Sequence, residues 1–125
     1  MEKYLLIGLG GGFGSISRYL LSRAVYHAVG ETFPYGTLVV NIIGCLVIGL
    51  LMAFMQERLA ANSNYRLFLV IGVLGGFTTF SSFSYETFEL LRSGSISAAL
   101  LNVVYNVVGC LFATWSGYTM GKNII

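Results

Sequence analysis

The chain has 125 residues, 56% hydrophobic and only 10% charged, with seven Lys/Arg against five acidic residues, all of them Glu, for a net charge of +2, and its mean hydropathy is +0.79. A soluble domain is about 25% charged, so this composition cannot furnish a water-facing surface; it also excludes disorder, collagen and coiled coil, and the scattered basic residues speak against a nucleic-acid partner. What remains is an integral membrane protein, with room for at most four or five spans of about 20 residues each.

Four apolar segments follow in chain order. The first runs from about Lys3 to Ala28. It lacks the continuous apolar core and small-x-small site of a cleaved signal peptide, and is read as the first span. Its Gly10 to Gly14 cluster stops one Ser short of G-x-G-x-x-G and follows no strand, so it is not a phosphate loop. The second segment, about Gly36 to Gln56, follows a turn marked by Glu31 and the single proline, Pro34. The third spans about Leu67 to Leu91. The fourth spans about Ser97 to Met120, after the Ser93-Gly94-Ser95 turn. Barrel strands would alternate apolar and polar residues over about ten positions, and nothing here does, so the segments are helices. The short loops make consecutive helices antiparallel neighbours.

Four spans put both termini and the middle loop on one side of the membrane. That side carries Lys3, Arg58, Arg66 and Lys122; the other carries Arg23 and Arg92, with Arg18 inside the membrane. So weak a bias under the positive-inside rule leaves two readings: orientation set by something subtler, or insertion both ways round. Gly8/Gly12, Gly10/Gly14, Gly72/Gly76 and Gly117/Gly121 have small-xxx-small spacing, which lets helices pack closely in lipid. Four short helices do not easily enclose a pathway, so an oligomer is expected. Cys45 and Cys110 lie deep in apolar runs and read as small buried side chains; no Cys/His spacing fits a zinc site.

Polar residues at membrane depth need a reason. Thr37 and Asn41 share one face of segment two, one turn apart. Segment four carries Asn102, Asn106, Cys110 and Thr114 in an i, i+4 column. Segment three reads Gly75-Gly76-Phe77-Thr78-Thr79, poor helix material, which predicts a broken helix of the kind that forms ion sites. Phe80, Phe83, Ser84 and Thr87 then form an i, i+3, i+4, i+7 stripe flanked by Ser81 and Ser82. Amides and hydroxyls donate hydrogen bonds without carrying charge, and aromatic ring edges are electropositive. Such a lining suits a small, strongly hydrated anion that must bind without being trapped. The preference for anion over cation is modest, and the lining alone does not name the ion.

Three motifs now stand together: Gly11-Gly12-x-Gly14-x3-Arg18-Tyr19, Gly36-Thr-Leu-x-Val-Asn41-x2-Gly44, and Gly75-Gly76-x-Thr78-Thr79-Phe80-Ser81-Ser82-Phe83. With these, four spans and this length, the chain resembles the Fluc/CrcB family of fluoride channels over essentially its whole extent. The resemblance implies an all-α membrane protein of four transmembrane helices with a broken third helix, assembled as an antiparallel, dual-topology homodimer in the bacterial inner membrane. It implies a passive channel that exports cytoplasmic fluoride through two narrow pores. Asn41 matches the pore asparagine, and Phe80 and Phe83 match aromatic positions that opposite subunits contribute to a given pore. Carbonyls matching Gly75 and Thr78, taken twice across the dimer axis, hold a structural sodium ion that is not transported. The wider lining is expected from Thr37, Ser81, Ser84, Asn102, Asn106, Cys110 and Thr114. Relatives often carry Tyr or Ser at the position of Asn102, Ser or His at that of Asn106, and Ser at that of Cys110; the polar column survives these changes.

Arg18 and Glu86 are candidates for a vestibule, against a buried pair or carbonyl cap for Arg18 and a snorkelling side chain for Glu86. His27 reads as interfacial, and Tyr4, Tyr35, Tyr65, Trp115 and Tyr118 suit aromatic belts. A small proton-coupled multidrug exporter would need a carboxylate inside the first span, where only Glu2 stands, at the edge. A scaffold subunit without a pathway would not need the polar column. No nucleophile, base and orienting group can be assembled into an enzyme.

Overall fold

The computed structural model describes residues 1–57 and 63–125. Arg58, counted above among the basic residues on the side of the termini, lies outside them. Among the described residues all regular secondary structure is helical and there is no strand.

Helix α1 covers Glu2–Val29. It stops at Gly30, whose φ of 86° suits a residue without Cβ and whose N–H still donates to the Tyr26 carbonyl at 2.9 Å. Pro34 fixes the chain just before α2, Tyr35–Glu57. The third segment is built in pieces. A single turn, α3 (Ser63–Tyr65), leads into nine residues of π-helix, Arg66–Leu74, and then into one α-turn, α4 (Gly75–Phe77). No local signal predicts the π-helical stretch. Thr78 (φ −79°, ψ 155°) and Thr79 (φ −148°, ψ 114°) are extended, and helix resumes as α5, Phe80–Arg92. Gly75 and Gly76 are themselves helical; the interruption lies just beyond them. A turn at Gly94 (φ 82°) leads into α6, Ile96–Ile124.

Among the described residues three stretches are long and apolar enough to cross a membrane: Tyr35–Gln56, Ser63–Arg92 and Ile96–Ile124. Helix α1 has 28 residues, about 42 Å at 1.5 Å per residue, but its glycines, serines, Arg18 and Arg23 make it the least apolar of the long helices. The outer surface is what lipid demands: Leu9, Phe13, Leu100, Leu111, Phe112 and Trp115 are all exposed. Tyr4, Tyr35 and Tyr65 are exposed near helix ends as well.

The helices pack as two parallel pairs. Along α2 and α6 contacts rise together in number: Asn41 bonds Asn106, Gly49 meets Thr114, Ala53 meets Gly121, and the Tyr118 hydroxyl donates to Gln56. Along α1 and the third segment, Gly10 meets Phe68 and Gly72, and Gly14 meets Val73 and Phe77. Consecutive long helices therefore run antiparallel. Backbone-to-backbone contact of this closeness needs glycine, which is what the small-xxx-small pattern supplied. A Cβ at Gly117 would lie 2.0 Å from the Leu46 carbonyl oxygen. Gly117→Ala is therefore expected to force α2 and α6 apart and destabilise the fold by about 1–3 kcal/mol, read as a lowered melting temperature in detergent; an unchanged melt would contradict this packing.

Candidate functional site

A groove of about 490 Å³ opens where α2, the interrupted third segment and α6 meet. Its lining includes Asn41, Gly75, Thr78, Phe80, Phe83, Asn106 and Cys110. The fold thus gathers residues from three separate sequence motifs onto one surface. Among the described residues no charged side chain lines it.

The interruption at Thr78–Thr79 is held by a side chain from another helix. Asn41 accepts from the Thr79 N–H at Oδ1 (2.8 Å) and donates through Nδ2 to the Thr79 carbonyl (3.1 Å). Its amide thus pairs with both polar groups of one residue, as a neighbouring strand would. This meets the requirement that backbone groups freed at membrane depth find partners. The Thr79 hydroxyl then caps α5, accepting from the Ser82 N–H at 3.1 Å. Gly44 makes room for the break, since a Cβ there would lie 2.2 Å from the Thr78 methyl.

These substitutions of partner leave two carbonyls without their helical donors. In a continuous helix the Thr79 and Ser82 N–H groups would bond the Gly75 and Thr78 carbonyls; here they bond the Asn41 amide and the Thr79 hydroxyl instead. Both residues line the groove.

From Asn41 a chain of donors runs in one direction across three helices. Asn41 Nδ2 donates to Asn106 Oδ1 (3.1 Å), Asn106 Nδ2 to Asn102 Oδ1 (3.0 Å), Asn102 Nδ2 to the Thr87 hydroxyl (2.9 Å), and that hydroxyl to the Phe83 carbonyl (2.8 Å). Asn102 and Asn106 are 1% and 5% exposed, so these bonds are shielded from competition. The chain begins at the backbone of Thr79 and ends at the backbone of Phe83, and so ties both ends of the first turn of α5 to α2 and α6.

The two phenyl rings differ sharply in setting. Phe83 is 8% exposed and Phe80 is 78% exposed. Their centroids are 5.4 Å apart at 64°, an edge-to-face contact. Ser81 is exposed, with its hydroxyl 3.3 Å from that of Thr79.

Other expected lining residues lie off this groove. Buried Thr37 donates to Glu86 Oε1 at 2.7 Å, and the second carboxylate oxygen, Oε2, is buried without a partner. Glu86 is thus turned inward, against a separate cavity of about 460 Å³ that Tyr26, Glu31 and Glu89 also line. Asn102 joins the groove only through Asn106. Ser84 is exposed, and Thr114 meets Gly49 through its backbone. Arg18 is half-buried on α1, away from either cavity lining. Thr79 and Ser82 were not singled out as site residues, although a threonine just before a helical run is the ordinary signature of an N-cap. Thr79→Ala removes that cap and is expected to cost about 1 kcal/mol, while Thr79→Ser retains most of it; equal melting temperatures for Ala and wild type would remove the cap from the account.

Comparison with known proteins adds the family. A family model described as "CrcB-like protein, Camphor Resistance (CrcB)" matches residues 5–118. The chain belongs to the CrcB family. Among its CrcB relatives, a protein of Solibacter usitatus named fluoride-specific ion channel FluC is 49% identical over 121 residues, 97% of this chain and 99% of its own. A protein of the same name from Citrifermentans bemidjiense is 47% identical over 124 residues, covering 99% of this chain and all of its own. Another from Coxiella burnetii is 47% identical over 121 residues, 96% and 98% of the two chains. With its three apolar spanning-length helices, this CrcB chain is a multi-pass membrane protein.

Proposed function

We propose that this chain is a passive, fluoride-selective channel that lets cytoplasmic fluoride leave the cell across the bacterial inner membrane. The observation that carries the reading is identity of 47–49% over nearly the whole length with relatives named as fluoride-specific channels. The geometry agrees with it. Hydrogen fluoride enters cells and dissociates in a neutral cytoplasm, so a leak for the anion alone suffices and no chemical step is required.

The groove supplies neutral contacts for an anion. Phenyl edges from Phe80 and Phe83 present partial positive charge, and the first turn of α5 adds the positive end of a helix dipole. Asn41 both holds the break and offers an amide hydrogen for which a passing fluoride competes with Asn106 Oδ1. Ser81 and Ser84 are exposed on the same helix for a further contact. The pathway is completed, in this reading, by a second copy inserted upside down, all four long helices spanning in each. The exposed ring of Phe80 and the open apolar groove are the surface that copy covers, giving two pores by symmetry. The weak charge bias of the loops is consistent with insertion both ways. Thr37 and Glu86 lie toward one end of this path, where Arg18 would act at a distance.

A structural sodium ion at the twofold axis fits the residues present. Gly75 and Thr78 carbonyls have lost their helical donors and line the face that the second copy would meet. Such oxygens are hard ligands, and the ion's positive charge would neutralise carbonyl dipoles brought together from two chains. Replacing sodium by a bulky organic cation is expected to speed subunit exchange of the purified protein at least about tenfold, the effect of about 1.4 kcal/mol. Exchange indifferent to the cation would remove the ion from the account.

The function is tested by fluoride efflux from liposomes holding the purified protein, with chloride as control. Fast fluoride efflux with no chloride efflux is expected; absent fluoride flux, or equal flux of the two, would sink the channel reading.

A further inference from the structure

The parallel pair α2 and α6 keeps a constant register across the groove. Asn41 is hydrogen-bonded to Asn106 at 3.1 Å. Two turns further on, a Cβ at Gly49 would lie only 2.1 Å from the Thr114 carbonyl oxygen. The two helices are thus pinned together at both points, and midway between them stand Cys45 and Cys110. Both are free thiols, both line the groove, and the register of the two helices sets them opposite each other. The fluoride reading counts Cys110 in the wider lining but gives the two thiols no joint role.

We infer that Cys45 and Cys110 form a two-coordinate site for a soft d¹⁰ metal ion of the mercuric type, bridging α2 and α6 within one chain. Three features select that class. Thiolates prefer soft ions. Among the described residues the groove lining holds no histidine, carboxylate or third thiol, and the chain's one histidine, His27, is exposed near the end of α1, so the four ligands that zinc takes are not gathered here. The groove lining is uncharged, and a net charge in such surroundings is costly. A divalent ion with two thiolates is neutral, whereas a monovalent ion with two thiolates is an anion. Loading from mercuric chloride balances without oxidation: two S–H protons pass to water, two Hg–Cl bonds break, two Hg–S bonds form, and two chlorides leave.

The test is a titration of the purified full-length protein with mercuric chloride, following the thiolate-to-mercury absorbance in the ultraviolet and counting free thiols. The readout is binding, so it stands or falls independently of fluoride transport. One mercury per chain with loss of both thiols is expected. Stripping the metal with a monothiol should need at least about 100-fold more competitor for wild type than for Cys45→Ser or Cys110→Ser, because the second thiol acts at high effective concentration. An endpoint of two mercury ions per chain, or equal stripping of wild type and single variants, overturns the bridge. A mercury-dependent dimer on a denaturing gel would place the link between chains and overturn it too. The wild-type stoichiometry decides the matter even if a serine variant folds poorly.

Discussion

Asn41→Leu is expected to be among the most damaging single substitutions in the groove, with loss of both stability and flux. Leucine has the branched four-atom skeleton of asparagine, is somewhat larger, and has none of its polar atoms. It deletes three hydrogen bonds: those to the N–H and carbonyl of Thr79 and that to Asn106. The orphaned Thr79 N–H and Asn106 Oδ1 lie in buried residues, and each unsatisfied group costs about 1–3 kcal/mol, so a total of about 2–6 kcal/mol follows. The damage is also geometric. With the clamp gone, Thr79 N–H regains the Gly75 carbonyl as its nearest partner, and the third segment can rewind into continuous helix. That would turn the first turn of α5 and both phenyl rings away from the groove. Melting in detergent reads the first effect and liposome efflux the second. Asn41→Asp separates them: it keeps an acceptor for the Thr79 N–H, loses both donations, and sets a carboxylate against Asn106 Oδ1. A wild-type melt for Asn41→Leu would show that something else holds the break.

Phe80→Ile should behave in the opposite way, sparing the chain and stopping the ion. The ring is 78% exposed in the single chain, so its replacement costs no more than about 0.5 kcal/mol of folding stability. If a second copy supplies the rest of the pathway, that exposed edge is the surface an anion meets, and fluoride efflux falls at least about tenfold, equivalent to raising the barrier by about 1.4 kcal/mol. Phe83 is 8% exposed and plays both parts. Phe83→Ile should lower flux while the dimer still assembles, and Phe83→Ala should in addition cost about 3–5 kcal/mol of stability. Full flux in both isoleucine variants, with assembly checked by gel filtration, would take the aromatic edges out of the permeation path.

The contrast between these residues follows from how the third segment is built. Thr79 and Phe83 bound one helical turn, and a chain of five donors running through Asn41, Asn106, Asn102 and Thr87 links them. The position of Phe80 on that turn is therefore set by amides on two other helices. Asparagine at positions 102 and 106 suits this task, since each amide both donates and accepts. At Cys110, one turn beyond Asn106, the relay stops: its thiol, like that of Cys45, is free and lines the groove.

Composition alone determined that the chain belongs in a membrane, because so few charges cannot cover a soluble surface. Local chemistry marked the turns at Pro34 and at Ser93-Gly94-Ser95, the small-residue faces along which helices approach, and the polar side chains at membrane depth. Those signals are short-range and survive in a one-dimensional reading. Only the tertiary structure decided where the third segment opens. Gly75-Gly76 look like the weak point, yet they stay helical; Gly76 is needed for its size, since a Cβ there would lie 2.5 Å from the Gly11 carbonyl oxygen of α1. The opening falls at Thr78–Thr79 because Asn41, 38 residues earlier in the chain, offers an amide that replaces the missing helical partners. The facing of Cys45 and Cys110 has the same origin. It depends on the register between two parallel helices joined through the whole third segment, and no local pattern encodes a distance across such a connection.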